Sequence, residues 1–134
     1  SAEIERALSG DPLDLEREYV RLFLNPEGAP CPPWQSTHAD PPQLMGDSHH
    51  SALAWYRAEG VEPNLGNEPA DHAGLLLTFY ARLLESGAPA NRLEKYRQEH
   101  LAWLAAYCEA LAREARHPFY RLLAEITAQL STAA

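Results

Sequence analysis

What this chain has little of narrows it first. Two cysteines, Cys31 and Cys108, stand far apart among 134 residues with neither C-x-x-C nor metal-ligand spacing. A disulfide framework and a cysteine-bound zinc module are therefore both excluded as the basis of the fold, and reduced thiols are expected. No run approaches the eighteen or so apolar residues of a membrane span, and no basic segment followed by an apolar stretch opens the sequence. The expectation is a protein that stays in the cytoplasm. Cations are scarce too: 11 Lys and Arg stand against 19 Asp and Glu, a formal net charge of −8. The imbalance lies in residues 1–67, where 11 acids face 4 bases, against 8 and 7 in the remainder. Such charge argues against a nucleic-acid partner and allows a basic one, such as an arginine-bearing peptide, although it also serves plain solubility. The seven glycines are scattered singly, so no phosphate loop is present. No stretch alternates with period two, and no repeat of 20 to 50 residues appears.

What is there is helical periodicity, with enough apolar residues (46%) for a single domain over residues 1–134. Ser1 to Ser9 reads as the end of a helix closed by Gly10, with a short apolar face of Ile4, Ala7 and Leu8. Asp11-Pro12 caps a second helix whose buried face is Leu15, Tyr19, Leu22 and Phe23, ended by Asn25-Pro26. From Asn25 to Gly46 six prolines and no sustained period predict a loop. Trp34, flanked by Pro32-Pro33, marks it as an ordered binding loop, because so large an aromatic would waste its burial in a disordered tail. Asp47 caps a third helix with Leu53 and Tyr56 inward and Trp55 alongside, stopped by Gly60. The central helix is expected to begin at Pro69, with Asp71 in its first turn. Leu75, Leu76, Phe79 and Leu83 form its inner face, Leu77, Tyr80 and Leu84 flank it, and Thr78, Arg82 and Glu85 form a polar strip. After Gly87 and Pro89 one long helix carries Leu93, Tyr96, His100, Trp103, Leu104, Tyr107 and Leu111 on a single face. His117-Pro118 opens the last helix, with Phe119, Leu122, Leu123, Ile126 and Leu130 inward and Ser131 to Ala134 fraying. The fold class is all-α, an irregular helical bundle.

Chemistry-bearing residues are present without a chemical motif. His49, His50, Asp71, His72, His100 and His117 are all metal-ligand types, but facing-helix sites need i, i+3 or i+4 spacing, and Glu99-His100 are adjacent and point apart. No metal and no other cofactor is expected. Ser36, Ser48 and Ser51 lack a nucleophile elbow, although triads assemble in space. His100, on an apolar face, reads as a core histidine bonded to a neighbour. Asp71 and His72 admit two readings, an N-terminal cap with an exposed imidazole or a ligand-binding pair. A general acid/base role has no substrate pocket marked for it.

Six short stretches stand in a familiar order: Tyr19-Val20-Arg21-Leu22-Phe23, Pro32-Pro33-Trp34-Gln35-Ser36, Gly46-Asp47-Ser48, Glu68-Pro69-Ala70-Asp71-His72, His100-Leu101-Ala102-Trp103 and His117-Pro118-Phe119-Tyr120. In order and approximate spacing the chain resembles the TorD/DmsD family of molybdoenzyme maturation chaperones from about Asp11 onward. The resemblance implies a TorD-like helical bundle, here lacking the family's N-terminal helices. It implies a cytoplasmic non-enzyme that binds the twin-arginine signal peptide of a molybdenum-containing oxidoreductase and delays export until the cofactor is inserted. Peptide-binding positions carried over from the family are Tyr19, Leu22, Phe23, Pro33, Trp34, Pro69, Asp71 and His72. Two guanidinium groups and a short apolar stretch call for a carboxylate and an aromatic-lined groove, which Asp71 and the aromatics Trp34, Tyr19 and Phe23 supply. Gln35 and His38 depart from the acidic and aromatic residues common in relatives. Either the absent helices belong to a longer form of the protein or were removed, or a partner chain covers the exposed face, as a domain-swapped homo-oligomer would. A helical metal-dependent hydrolase and a structural subunit of a redox complex are the alternatives.

Overall fold

A computed structural model describes residues 1–132, with side chains through Leu130. Seven α-helices are described, and no strand among the described residues: α1 Ala2–Ala7, α2 Pro12–Tyr19, α3 Asp47–Ala58, α4 Ala73–Glu85, α5 Ala90–Tyr96, α6 Leu104–Glu114 and α7 Pro118–Thr132. They fall into two compact units, Ser1–Pro32 with Leu104–Ala134, and Pro33–Trp103.

In the first unit α7 packs along α6 and against α1. Asp11 caps α2, accepting from the Leu13 amide at 2.9 Å, with Pro12 at the first helical position. The helix continues as a π-helical turn, Val20–Leu24, which buries Leu22 and Phe23. Tyr19 and Leu15 do not join them. Tyr19 is 42% exposed and Leu15 half-buried, while the acid Glu18 takes the inward position expected of an apolar residue. Its carboxylate accepts from Arg21 Nε at 2.7 Å and from the backbone N–H groups of Arg116 at 2.5 Å and His117 at 2.8 Å, in the link before α7. Burial alone would raise its pKa, but the Arg21 bond and the two amides outweigh it and hold the group down at about 2. His117 opens α7 as expected, its Nδ1 accepting from the Phe119 amide at 3.1 Å. The inner face of α7 differs from expectation: Tyr120 and Ala124 are buried, whereas Leu123 and Leu130 are exposed and Phe119, Leu122 and Ile126 half-buried. Ala7 is the buried residue of α1, and Ile4 and Leu8 stay exposed. Of the expected fraying end, Ala133 and Ala134 lie outside the described residues.

The second unit is built on α4, whose Leu76, Phe79, Tyr80 and Leu83 are buried while Leu84 is exposed. Thr78, Arg82 and Glu85 are the solvent strip, as patterned. The inward face of α3 is His49, Ala52, Trp55 and Tyr56, with Leu53 half-buried. Its N-cap is Gly46, and Asp47 is the first helical residue. Beyond it Gly60 takes φ +73°, the left-handed conformation that ends a helix. The long helix expected after Pro89 is interrupted. α5 passes into a π-helical turn, Arg97–Leu101, and α-helix resumes only at Leu104. Trp103 supplies the physical reason: its Nε1 donates to the His100 carbonyl at 2.8 Å, the group that an unbroken helix would bond to the amide four residues on.

Candidate functional site

The proline-rich loop is ordered, and its order comes from partners distant in sequence. Trp34 pairs with His72 in an isolated antiparallel bridge, flanked by bonds from the Gln35 amide to the Asp71 carbonyl at 3.1 Å and from the Ala73 amide to the Pro33 carbonyl at 2.8 Å. After the bridge the loop makes one 3-10 turn, Gln35–His38. The turn is pinned from inside: Asp71 Oδ2 accepts from both the amide and the hydroxyl of Ser36. Gly46 lies behind, where an added Cβ would sit 3.5 Å from Ser36 Oγ. His38 stacks on Trp103 with centroids 5.2 Å apart.

Asp71 is therefore not the cap of the central helix. That helix starts at Ala73, four residues later than its sequence signals indicate, and its cap is His72, whose Nδ1 accepts from the Gly74 amide at 2.9 Å. Pro69, Ala70 and Asp71 form a buried connector instead. Its backbone is held by side chains of α3: the Ala70 amide donates to His49 Nδ1 at 2.8 Å, and Tyr56 donates its hydroxyl to the Ala70 carbonyl at 2.7 Å. Tyr56 is correspondingly raised above the usual phenol range, by burial first and by the Asp71 charge second. Asp71 itself is 0% exposed, and its Oδ1 has no hydrogen-bond partner among the described residues. No cation is paired with it there either. A buried carboxylate so placed is an unusual expense of stability, roughly 1 to 3 kcal/mol for the unmet acceptor.

The half-buried residues of the bridge and its connector are Trp34, His72 and Glu68. The two rings meet edge to face at 6.0 Å, and Trp34 Nε1 donates to Glu68 Oε1. Sequence reasoning did not assign Glu68 a role, though it heads the stretch that ends in Asp71 and His72. Pro33 and Pro69 are buried and shape the connector rather than the surface. Of the eight positions singled out from the sequence, Pro33, Trp34, Pro69, Asp71 and His72 come together here, while Tyr19, Leu22 and Phe23 belong to the other unit. There Phe23 sits between Tyr19 and Tyr120, at centroid distances of 5.3 and 5.5 Å, and of the three carried-over residues Tyr19 alone is exposed. His100 is the core histidine expected, 0% exposed and bonded through both ring nitrogens. Among the described residues no three His, Cys, Asp or Glu side chains gather as a metal would need, and no helix is long and apolar enough to cross a membrane.

The described residues form an all-helical fold, and known proteins share that fold. A redox enzyme maturation protein from Archaeoglobus fulgidus superposes with a TM-score of 0.72 at 22% identity, over 96% of this chain and 72% of that one. The family model for the nitrate reductase delta subunit matches residues 1–125, and the chain belongs to that family. The Tat proofreading chaperone DmsD of Salmonella paratyphi A is 35% identical over 115 residues, 84% of this chain and 56% of that protein. The chaperone protein TorD of Shewanella piezotolerans is 26% identical over 124 residues, 86% of this chain and 58% of that protein. The TorD/DmsD resemblance is thereby supported by both fold and sequence, and the chain spans just over half the length of these relatives.

Proposed function

We propose that this chain is a maturation chaperone that binds the twin-arginine leader of a molybdenum-containing oxidoreductase. Its role asks for binding rather than catalysis, and it would be exercised in the cytoplasm, before export. The observation that carries the reading is Asp71, a buried carboxylate with one oxygen unpartnered, on the connector that also carries the half-buried Glu68 and His72, His72 facing Trp34 across the bridge. An uncompensated buried charge draws an opposite one, and a guanidinium suits it best because its fork matches a carboxylate and its weak hydration lowers the cost of leaving water. Glu68 adds a second acceptor on the connector, and the Trp34 face offers a stacking surface to the same cation. Pro33 and Pro69 are buried beside Trp34 and Ala70, and in the other unit Tyr19 is read as an exposed apolar contact, with Leu22 and Phe23 buried.

Calorimetric titration with a twin-arginine leader peptide is the test. Affinity of about 1 μM, roughly 8 kcal/mol, is expected, falling with added salt and falling further when both arginines become lysines. Absence of binding by the intact protein at low salt removes the reading. A metal-dependent hydrolase gains nothing from this geometry, because the metal-ligand residue types are dispersed over α3, the connector, the π-turn and the link before α7 among the described residues.

A further inference from the structure

Ser51, a serine without a local nucleophile motif, meets a base across the fold. Its Oγ lies 3.0 Å from Nε2 of His100, and His100 Nδ1 lies 2.8 Å from Oε1 of Gln35. Gln35 is itself fixed, because its Nε2 donates to the Glu99 carbonyl at 2.7 Å. Oε1 is thus the atom facing the ring, Nδ1 carries the imidazole proton, and Nε2 is left as an acceptor for the Ser51 hydroxyl. Burial holds His100 below the usual histidine range, against the opposite pull of Glu99 and Asp71, so the neutral form needed for a base is favoured. His100 is sealed from solvent, but Ser51 is half-buried and lines a groove of about 270 Å³ with Trp55, Arg92 and Lys95.

We propose that Ser51 is an activated nucleophile and that its groove takes an activated carboxylic ester, of an aryl alcohol or a thiol. Ser51 Oγ adds to the acyl carbon while its proton passes to His100 Nε2, Gln35 keeping the ring oriented through Nδ1. The adduct collapses as the bond to the leaving group breaks, and that group departs with the bonding electrons and takes the proton from Nε2. Water repeats both steps on the acylated serine, releasing the free acid and restoring the hydroxyl. The cations lining the groove are Arg92 and Lys95, and Lys95 stands 4.0 Å from Glu99, whose carboxylate lines the same groove. Arg92 is already engaged, 2.9 Å from Glu59 and 4.6 Å over the Trp55 ring. Two cations of this kind are a weaker aid than a rigid pair of amides, which restricts the reaction to esters with good leaving groups.

The probe is p-nitrophenyl acetate, with peptide mapping by mass spectrometry on the full chain. One acetyl group on Ser51 is expected, abolished in Ser51→Ala with leader affinity unchanged, and slowed at least tenfold in Gln35→Ala. A fluorophosphonate on the unaltered protein gives a reading that needs no variant, an adduct at Ser51. Acetylation confined to lysines and the N-terminal amine at a rate unchanged in Ser51→Ala, or no fluorophosphonate adduct at Ser51, overturns the proposal.

Discussion

Among the described residues each unit buries one carboxylate, and the two are handled in opposite ways. Glu18 is 7% exposed and fully engaged, by one guanidinium nitrogen and two backbone amides. Asp71 is more deeply buried, yet its bonds converge on one oxygen and one neighbour, Ser36, while the other oxygen is unmet. A closed shell of donors around an acid stabilises the fold and leaves nothing for a ligand. An open one costs stability, and what it retains is the capacity to bind. Under the proposed function, the first unit's carboxylate serves the fold and the second unit's is the one left to bind.

Substitutions can break this contrast, and the largest effect is expected at Glu18. Its folded pKa of about 2 lies below the ordinary 4.5, so the stability it contributes is fully present above about pH 4.5 and is lost as pH falls toward 2. Glu18→Gln should cost about 3 kcal/mol at pH 7 and almost nothing near pH 2, measured by urea denaturation across that range. Leader affinity should be unmoved. At Asp71 the pattern should invert. Asp71→Asn keeps an oxygen for Ser36, so melting should change by less than about 1 kcal/mol, while peptide affinity falls by roughly 1.5 to 3 kcal/mol. Equal losses of stability at both sites, with affinity intact, would erase the distinction.

Smaller effects sharpen it. Trp34→Ala should weaken leader binding by about 1 to 3 kcal/mol in calorimetry, and Trp34→Phe by less, since only the bond to Glu68 is lost. An unchanged affinity would make the loop purely structural. The smallest effect is expected at His72, where alanine removes the cap of α4 at a cost of about 1 kcal/mol in thermal melting. Asparagine at His72 should recover most of it, because a short side-chain oxygen can accept the same amide.

Much of this was legible in the chain. Period 3.6 gave the α4 face, Asp11-Pro12 gave the start of α2, and Trp34 among prolines gave an ordered loop. The missed features share a cause: they are decided by bonds between residues far apart. Pro69 and Asp71 carry the marks of a helix start, but Asp71 is bonded to Ser36, 35 positions away, and Ala70 to His49, 21 away. Those partners hold the connector out of the helix. Histidine is an uncommon cap, and both His72 and His117 serve as one by bonding the amide two residues on. Glu18 sits where α2 should show an apolar residue, and its reason lies 98 and 99 residues downstream. The break between α5 and α6 is local, yet it depends on which way Trp103 turns its indole.

The cap on α4 also fixes a proton. A ring that accepts the Gly74 amide at Nδ1 must carry its hydrogen on Nε2, so the half-buried imidazole of His72 meets its surroundings as a donor. A donor reads carbonyl oxygens, which every peptide offers at every residue, whereas carboxylates favour cationic side chains. Sequence discrimination and sequence-blind grip would then sit on adjacent positions of one connector. Nitrogen-15 shifts of the ring would report that tautomer directly, and their change on adding a leader would report whether the backbone is what this imidazole holds.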